Sequence, residues 1–298
     1  MIDLTKLSTE QRNERTMNLD TMSTFEALKT MNEEDAKVAE AVKKALPQID
    51  QAVQATIKAF KAGGRLIYIG AGTSGRLGLL DAAECPPTFG TPPEQVVALL
   101  AGGEKAFTRA VEGIEDSADA AATDLKSIGL TAKDMVIAIA ASGRTPFALG
   151  ALKYAKEIGC TTAAISCNHN SQVSAAADIA IEAVPGPEVL TGSTRLKAGT
   201  AQKLVLNMIS TVSMVGVGKV YTNLMVDVKL TNKKLESRGI NIIMTATDTD
   251  RDTATRYLEQ AGGSVKLAIT MILLNCDAET AREKLTATQG HIGQALQD

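Results

Sequence analysis

The stretch Arg65–Phe89, RLIYIGAGTSGRLGLLDAAECPPTF, constrains the fold more than any other part of the chain. It begins with a short apolar, β-prone run, Leu66–Ile69, which indicates a fully buried parallel strand. Three closely spaced glycines then permit a tight turn into a helix. Because a helix N-terminus presents unpaired N–H groups and the positive end of its dipole, Thr73 and Ser74 in this turn predict an anion-binding site.

The same turn also has the G-x-G-x-x-G spacing of dinucleotide-binding proteins, formed by Gly70, Gly72 and Gly75. A dinucleotide site requires an acidic residue about 20 positions further on, at the tip of the next strand. Glu104 is the nearest candidate, and it comes late. The hydroxyl pair between the glycines suits a sugar phosphate better, and we expect a phosphosugar rather than a nicotinamide or flavin.

The helix that follows this turn is predicted to end near Glu84, because Pro86 and Pro87 cannot continue it. A carboxylate is thereby left at a helix end beside a rigid turn. That position is unusual for an ordinary surface glutamate.

Strands and helices alternate through the middle of the chain, which predicts right-handed βαβ units and an α/β fold with one parallel five-stranded sheet. A helix over Ala106–Ala122 is expected to carry an acidic face that includes Glu112 and Glu115. The expected parts are an N-terminal arm with helices (1–56), the sheet domain (57–220) and a small helical subdomain (221–298). After Leu66–Ile69 the predicted strands are Gln95–Leu100, Met135–Ala140, Thr161–Ser166 and Ile179–Ala183.

Both ends of the chain are expected to be helical. Residues 1–22 predict an arm that lies on another surface, such as that of a second subunit. Ser23 and Glu26 have the spacing of a capping box, Asn32–Asp35 is expected to open a second helix, and Pro47 a third. From about residue 232 a weak repeat of two helix–glycine–helix units appears, for which we favour packing and dimer support over catalysis.

Composition excludes several classes of function. The formal net charge is −3, aromatic residues make up 3% of the chain, and tryptophan is absent, so neither nucleic acid nor a membrane is an expected partner. No signal peptide is visible at the N-terminus. The four cysteines are scattered and there are only two histidines. We therefore expect a cytoplasmic protein that needs neither a metal nor a cofactor.

Two further hydroxyl-rich segments precede helices. The turn Ser142–Thr145 follows the third predicted strand, as the first turn follows the first. The segment Thr191–Lys203, TGSTRLKAGTAQK, leads into a long apolar helix. Its basic and hydroxyl groups suit a phosphate or carboxylate ligand, whereas a capped helix start with solvated Arg195 and Lys197 is the structural alternative. Both interpretations stay open.

Serine- and threonine-rich turns after strands of one parallel sheet resemble the phosphosugar sites of sugar isomerase (SIS) domains. The resemblance extends over nearly the whole chain to the N-acetylmuramic acid 6-phosphate etherase family of bacterial cell-wall recycling. The motifs that carry it are GAGTSGRLGLLDAAECPPTFG, VEGIEDS, ASGRTPFALGAL and GPEVLTGSTRLKAGTAQKLVLNMIST.

The resemblance implies cleavage of the lactyl ether of the phosphosugar, which gives N-acetylglucosamine 6-phosphate and D-lactate without metal or cofactor. It also implies that Glu84 and Glu115 are the two functional glutamates, and we expect a homodimer. The residues expected to contact the substrate are Thr73, Ser74, Gly75, Arg76, Ser142, Gly143, Arg144, Thr145, Ser193 and Lys197.

The role of Glu84 raises a geometric problem. If the helix is continuous from Ser74, a rise of ~1.5 Å per residue places Glu84 about 15 Å from the sugar-binding turn. Either the helix breaks near Gly78 or Glu84 serves the site of a neighbouring subunit, and we favour the second. Two other functions remain as alternatives: an aldose–ketose isomerase, which needs no acid for a leaving group, and a non-catalytic sugar-phosphate regulator.

Overall fold

The computed structural model describes residues 7–109, 111, 113–230 and 232–297. The chain forms two compact units. The first extends to Ala83 and includes Glu94–Ser210, and the second comprises Glu84–Pro93 and the chain from Thr211 onward. The N-terminal helices and the sheet, which were expected as separate parts divided near residue 56, thus fall in one unit.

The first unit is built on a parallel five-stranded sheet, which confirms the predicted α/β fold. All five strands are parallel, in the order β2-β1-β3-β4-β5. From β1 the chain first adds β2 on one side and then continues with β3 on the other, so the switch point lies between β1 and β3. Gly70 at the end of β1 lies opposite Leu100 of β2 and Ile139 of β3. The loops after β1 and β3 therefore leave the sheet side by side, at the switch point where open α/β sheets bind ligands. The strands are β1 (Leu66–Gly70), β2 (Val96–Leu100), β3 (Met135–Ile139), β4 (Thr161–Ser166) and β5 (Ile179–Glu182).

Helices cover both faces of this sheet, so that every residue of β1 and β3 is buried. The predicted capping box of Ser23 and Glu26 is present at the first helix. Asn32–Asp35 ends that helix instead of opening a new one. The helices that begin in this unit are α1 (Thr24–Asp35), α2 (Lys37–Lys44), α3 (Leu46–Lys61), α4 (Gly72–Phe89), α5 (Lys105–Thr108), α6 (Ala118–Ser127), α7 (Pro146–Ile158), α8 (Gln172–Ala176) and α9 (Lys197–Gly216).

Helix α4 differs from the prediction that it ends near Glu84, because it runs through Pro86 and Pro87 to Phe89. A proline removes the hydrogen bond to the carbonyl four residues earlier. Both prolines lie in the last turn of the helix, where each removes a single bond. Helical bonding resumes beyond them, since the Gly90 N–H donates to the Pro86 carbonyl at 3.0 Å.

The expected helix over Ala106–Ala122 is also wrong. Helix α5 ends at Thr108, and Gly113 has a φ of +80°, which a right-handed helix cannot contain. A 3₁₀ turn, Ile114–Asp116, follows, and α6 starts only after Ser117, whose side chain accepts the Ala120 N–H at 3.2 Å. Glu112 of the predicted acidic face, like residues 1–6 of the predicted arm, lies outside the described residues.

The second unit is mainly helical, as predicted. Each of its two helix–glycine–helix units contains a turn of two residues with positive φ. These residues are Gly262 (+63°) and Gly263 (+83°) in one unit, and Gln289 (+52°) and Gly290 (+86°) in the other. Apolar side chains of its helices form a core of their own. Its elements are β6 (Val220–Tyr221), β7 (Leu224–Met225), α10 (Lys233–Thr247), α11 (Arg251–Gln260), α12 (Val265–Leu274), α13 (Ala278–Ala287) and α14 (Ile292–Ala295).

Among the described helices, none combines the length and the apolar character that crossing a membrane requires.

Candidate active site

A cavity of about 390 Å³ opens at the carboxyl ends of β1 and β3. Residues of the first unit line it, and they come from segments that are far apart in the sequence. These segments are the turn after β1, the 3₁₀ turn before α6, the turn after β3, the N-terminal segment and the loop before α9.

The turn after β1 brings Thr73 and Ser74 to the cavity at the first turn of α4. This turn requires glycine because the backbone of Gly75 packs against the end of β1. A Cβ on Gly75 would lie 2.4 Å from the Gly70 carbonyl oxygen. The glycine spacing is thus explained by helix–strand packing. Ser74 is 7% exposed, and its hydroxyl donates to Gln202 Oε1 at 3.0 Å, so this hydroxyl is fixed in position.

The turn after β3 contributes Ser142, Arg144 and Thr145, all of which are half-buried at the cavity wall. Gly143 between them has a φ of +71°, and a Cβ there would lie 2.3 Å from the Ser171 Cβ. The turn therefore packs tightly against the start of α8, where the Val173 N–H donates to the Gly143 carbonyl at 3.0 Å. Pro146 opens helix α7, and the side chain of Thr145 forms no capping hydrogen bond. The hydroxyl of Thr145 and the N-terminal amides of α7 are consequently available to an anion.

Glu115 lies on the 3₁₀ turn Ile114–Asp116, and its side chain is exposed at the cavity wall. Asp116 lines the same cavity. Gly113 turns the chain before this segment and Ser117 caps the helix after it, so a short turn presents the two carboxylates. The sequence predicted Glu115 as a site residue, although on a helix that does not form.

The N-terminal segment supplies Leu7 and Glu10 to the cavity, which the sequence did not indicate. The sequence predicted that this segment lies on another surface, whereas in the structure it packs on the first unit, to which it belongs. Asn168 holds it there, because its side-chain amide donates to Thr9 Oγ1 at 3.0 Å and to the Ala141 carbonyl at 3.1 Å. Ala141 directly precedes the Ser142 turn, so the segment is tied to the cavity wall.

Lys197, predicted to contact the substrate, is instead part of a buried ion pair. It is 1% exposed, and its Nζ donates to Glu34 Oε2 at 2.8 Å and to the Pro185 carbonyl at 3.2 Å. Burial by itself would raise the pKa of Glu34. Hydrogen bonds from four donors outweigh it and hold this pKa at about 2; they are Lys197, Lys37, Asn13 and Arg15.

The N-terminus of α9 is occupied by a carboxylate of the protein itself. Glu188 accepts the backbone N–H groups of Lys197 and Ala198, each at 2.9 Å. Burial raises the pKa of Glu188, and these two hydrogen bonds oppose that rise. Of the two interpretations left open by the sequence, the capped helix start is therefore the one observed, with Lys197 buried. Gly192 and Thr194 line the cavity, whereas Ser193 between them does not.

Glu84 is exposed near the end of α4, in the part of that helix that belongs to the second unit. Helix α4 is continuous through Gly78, where a Cβ would lie 3.0 Å from the Tyr68 Cβ. Gly78 is thus a packing position and not a break. The ten residues from Ser74 to Glu84 correspond to about 15 Å along the helix, and Glu84 is not among the residues that line the cavity.

A buried hydrogen-bond cluster around Asp81, which the sequence did not reveal, holds α4 to α9. The carboxylate of Asp81 accepts Tyr68 Oη at 3.0 Å, Asn207 Nδ2 at 2.7 Å and Ser210 Oγ at 3.1 Å. Burial raises the pKa of Asp81, and the three hydrogen bonds oppose that rise. The cluster fixes the part of α4 that lies in the first unit.

A second cavity of about 170 Å³ adjoins the first. Gly72 and Glu115 line both cavities, and Arg76 lines only the second. The guanidinium of Arg76 donates to the carbonyl groups of Ala106 and Phe107 at 2.7–3.1 Å.

The fold and the cavity define a sugar isomerase (SIS) type of domain. Residues 117–212 match the SIS domain family, and residues 48–156 match the glucokinase regulatory protein N-terminal SIS domain. A phosphoheptose isomerase from Francisella tularensis has the same fold, with a TM-score of 0.50 and 16% identity over 64% of this chain and 98% of that one. The phosphoheptose isomerase GmhA from Neisseria gonorrhoeae also gives a TM-score of 0.50, at 15% identity over 63% of this chain and 98% of that one.

Closer relatives identify the family. The chain is 61% identical over 294 residues to the N-acetylmuramic acid 6-phosphate etherase of Geobacillus sp. (strain WCH70), which covers 99% of this chain and 100% of that protein. It is 60% identical over 293 residues to the protein of that name from Bacillus cereus (strain B4264), at 98% and 100% coverage. The chain belongs to the N-acetylmuramic acid 6-phosphate etherase family, and the predicted etherase is confirmed.

Proposed function

We propose that this enzyme cleaves the D-lactyl ether of N-acetylmuramic acid 6-phosphate and releases N-acetylglucosamine 6-phosphate and D-lactate. The observation that carries the proposal is a single cavity in which two hydroxyl-bearing turns and Glu115 meet. It occurs in a chain about 60% identical, over nearly its full length, to proteins named for this activity.

The turn Ser142–Thr145 is the proposed site of the 6-phosphate. Its support is the open N-terminus of α7, where the hydroxyl groups of Ser142 and Thr145 adjoin unpaired helix amides. A phosphate gains both charge-assisted hydrogen bonds and a favourable helix dipole at such a position. The turn at Thr73 and Ser74 then faces the sugar from the other side of the strand switch point.

The chemistry follows from the position of the ether on the sugar. In the open-chain aldehyde, the ether oxygen on C3 is β to the C1 carbonyl, and the C2 proton is acidic. A base removes that proton, the C3–O bond breaks with its electrons on the lactate oxygen, and that oxygen gains a proton. Water then adds across the C2–C3 double bond, with the hydroxyl on C3 and the proton on C2. This reaction requires one carboxyl group that acts as a base and another that acts as an acid.

Glu115 is the proposed base, because it lies in the wall of the cavity that receives the sugar. Glu84 is the proposed acid and activates the incoming water. Since α4 separates it from the first turn by about 15 Å, Glu84 is proposed to act in the cavity of a second copy of the chain. This arrangement requires a homodimer with shared sites.

Subunit exchange tests the shared site. At a substrate concentration below the weakened affinity of Ser142→Ala, both this variant and Glu84→Gln are expected to release little lactate, and mixed dimers would contain one cavity with both groups intact. Mixing the two variants under exchanging conditions should restore part of the lactate release. Mixed dimers that form and stay inactive would place Glu84 in the cavity of its own chain.

The function itself is tested by incubation with N-acetylmuramic acid 6-phosphate and an enzymatic assay for free D-lactate. An aldose–ketose isomerase would convert a phosphosugar without any lactate, and a regulator would bind it without turnover. We also propose that the enzyme acts in the cytoplasm, for which its scattered cysteines are the support.

A further inference from the structure

The second cavity is lined by groups to which the proposed binding of the sugar and its phosphate assigns no role. Apolar side chains form most of its wall, namely Ala101, Ala106, Val111 and Ile114. Arg76 is the one cation among the described residues that line it. The cavity thus pairs a small apolar surface with a single positive charge.

Arg76 is held in place but keeps part of its hydrogen-bonding capacity. Its Nε and Nη2 donate to the carbonyl groups of Ala106 and Phe107. Within the part of the chain that the structure describes, no carboxylate forms an ion pair with it, and Nη1 has no acceptor. A fixed, half-buried guanidinium with free N–H groups is suited to a carboxylate, which it can bind in a bidentate manner.

The place of the cavity relative to the main one is also informative. Gly72 and Glu115 separate the two and line both. In the proposed substrate the lactyl group is attached to C3, next to the C2 from which Glu115 takes the proton. A sugar held by its phosphate at the Ser142 turn, with C2 facing Glu115, places C3 beside the residues that the two cavities share, so its substituent is within reach of the second cavity.

From this juxtaposition we propose that the second cavity is the lactyl subsite, with the lactyl carboxylate on Arg76 and the methyl group against Ala106 and Ile114. The volume of about 170 Å³ equals roughly five to six water molecules at ~30 Å³ each. Three carbons and two carboxylate oxygens fit that space. The acetamido group on C2 is neutral, and it would leave the charge of Arg76 without a partner. The proposal rests on the etherase function proposed above, and it names the part of the site that an isomerase does not need.

The test compares two ligands that differ only in the lactyl group. Binding of N-acetylmuramic acid 6-phosphate and of N-acetylglucosamine 6-phosphate is measured by calorimetry in a Glu115→Gln background, which prevents turnover. Arg76→Met is expected to weaken the first ligand at least about tenfold, which is the size of one charge-assisted hydrogen bond. The second ligand should change by less than about twofold. Arg76→Lys, which keeps the charge, should recover part of the loss.

A second variant separates the subsite from the structural role of Arg76. Val111→Phe narrows the cavity from its exposed wall and leaves both carbonyl groups that hold the guanidinium unchanged, and it should reproduce the selective loss of the lactyl-bearing ligand. Equal weakening of both ligands by Arg76→Met, or weakening of neither, overturns the proposal. Failure of the etherase function would be seen separately, because the wild-type protein would then release no D-lactate, whatever the ratio of the two affinities.

Discussion

Replacement of Lys197 by methionine distinguishes the sequence-based role of this residue from its role in the structure. In the structure, Lys197 and Glu34 are 1% and 2% exposed, and the Nζ–Oε2 distance is 2.8 Å. Removing one member of a buried ion pair costs about 3–5 kcal/mol, because the other charge stays buried. Glu34 keeps hydrogen bonds from Asn13, Arg15 and Lys37. We therefore expect a loss near the lower limit, ~3 kcal/mol.

The assay is urea unfolding followed by circular dichroism, together with the KM for the phosphosugar. Lys197→Met should lower the free energy of unfolding and leave KM within about twofold. The double variant Glu34→Gln/Lys197→Met should recover part of the lost stability, since it removes both charges. A tenfold rise in KM with unchanged stability would refute the reasoning and return Lys197 to the substrate site.

Three further predictions concern single groups. Ser142→Ala should weaken the binding of phosphorylated ligands by about 1.5–3 kcal/mol and that of their dephosphorylated forms far less. Calorimetry with both forms measures the two losses, and equal losses would show that the turn does not hold the phosphate. Glu115→Gln should abolish exchange of the C2 hydrogen with deuterated water, as followed by proton NMR, while the neighbouring Asp116→Asn serves as the control that retains it; exchange in Glu115→Gln would assign the base elsewhere. Because the folded-state pKa of Glu34 is lowered from its ordinary 4.5 to about 2, its contribution to stability should be full above pH 4.5 and disappear as the pH falls towards 2. The stability difference between wild type and Glu34→Gln, measured by urea unfolding across that range, should shrink accordingly, and a constant difference would contradict it.

The sheet could be predicted closely because its strands are short and largely apolar, and the central strands β1 and β3 are buried on both faces. Thr161–Ser166 has the predicted bounds, and β1 and β3 each differ from the prediction by one residue at one end. The turns after β1 and β3 follow from the same pattern, since carboxyl ends of parallel strands share one edge of the sheet. One cavity is lined by Thr73, Ser142 and Glu115. This agrees with what the local sequence and the family resemblance predict.

Contacts between segments that are distant in the sequence could not be predicted from local sequence patterns. The partner of Lys197 is 163 positions away in the sequence, so its basic side chain resembled a ligand for phosphate. The polar N-terminal segment gave no sign that Asn168 would hold it beside the cavity. In α4, Pro86 and Pro87 do not end the helix near Glu84 as the sequence predicts, because a proline in the last turn removes few hydrogen bonds.

Turnover of N-acetylmuramic acid 6-phosphate in ¹⁸O-labelled water tests the central claim most directly, because it reports both the reaction and the bond that breaks. Elimination followed by addition of water to C3 predicts unlabelled D-lactate and one ¹⁸O atom in the C3 hydroxyl group of N-acetylglucosamine 6-phosphate. Mass spectrometry of the two products reads out both. Label in the lactate, or no release of lactate at all, would contradict the account.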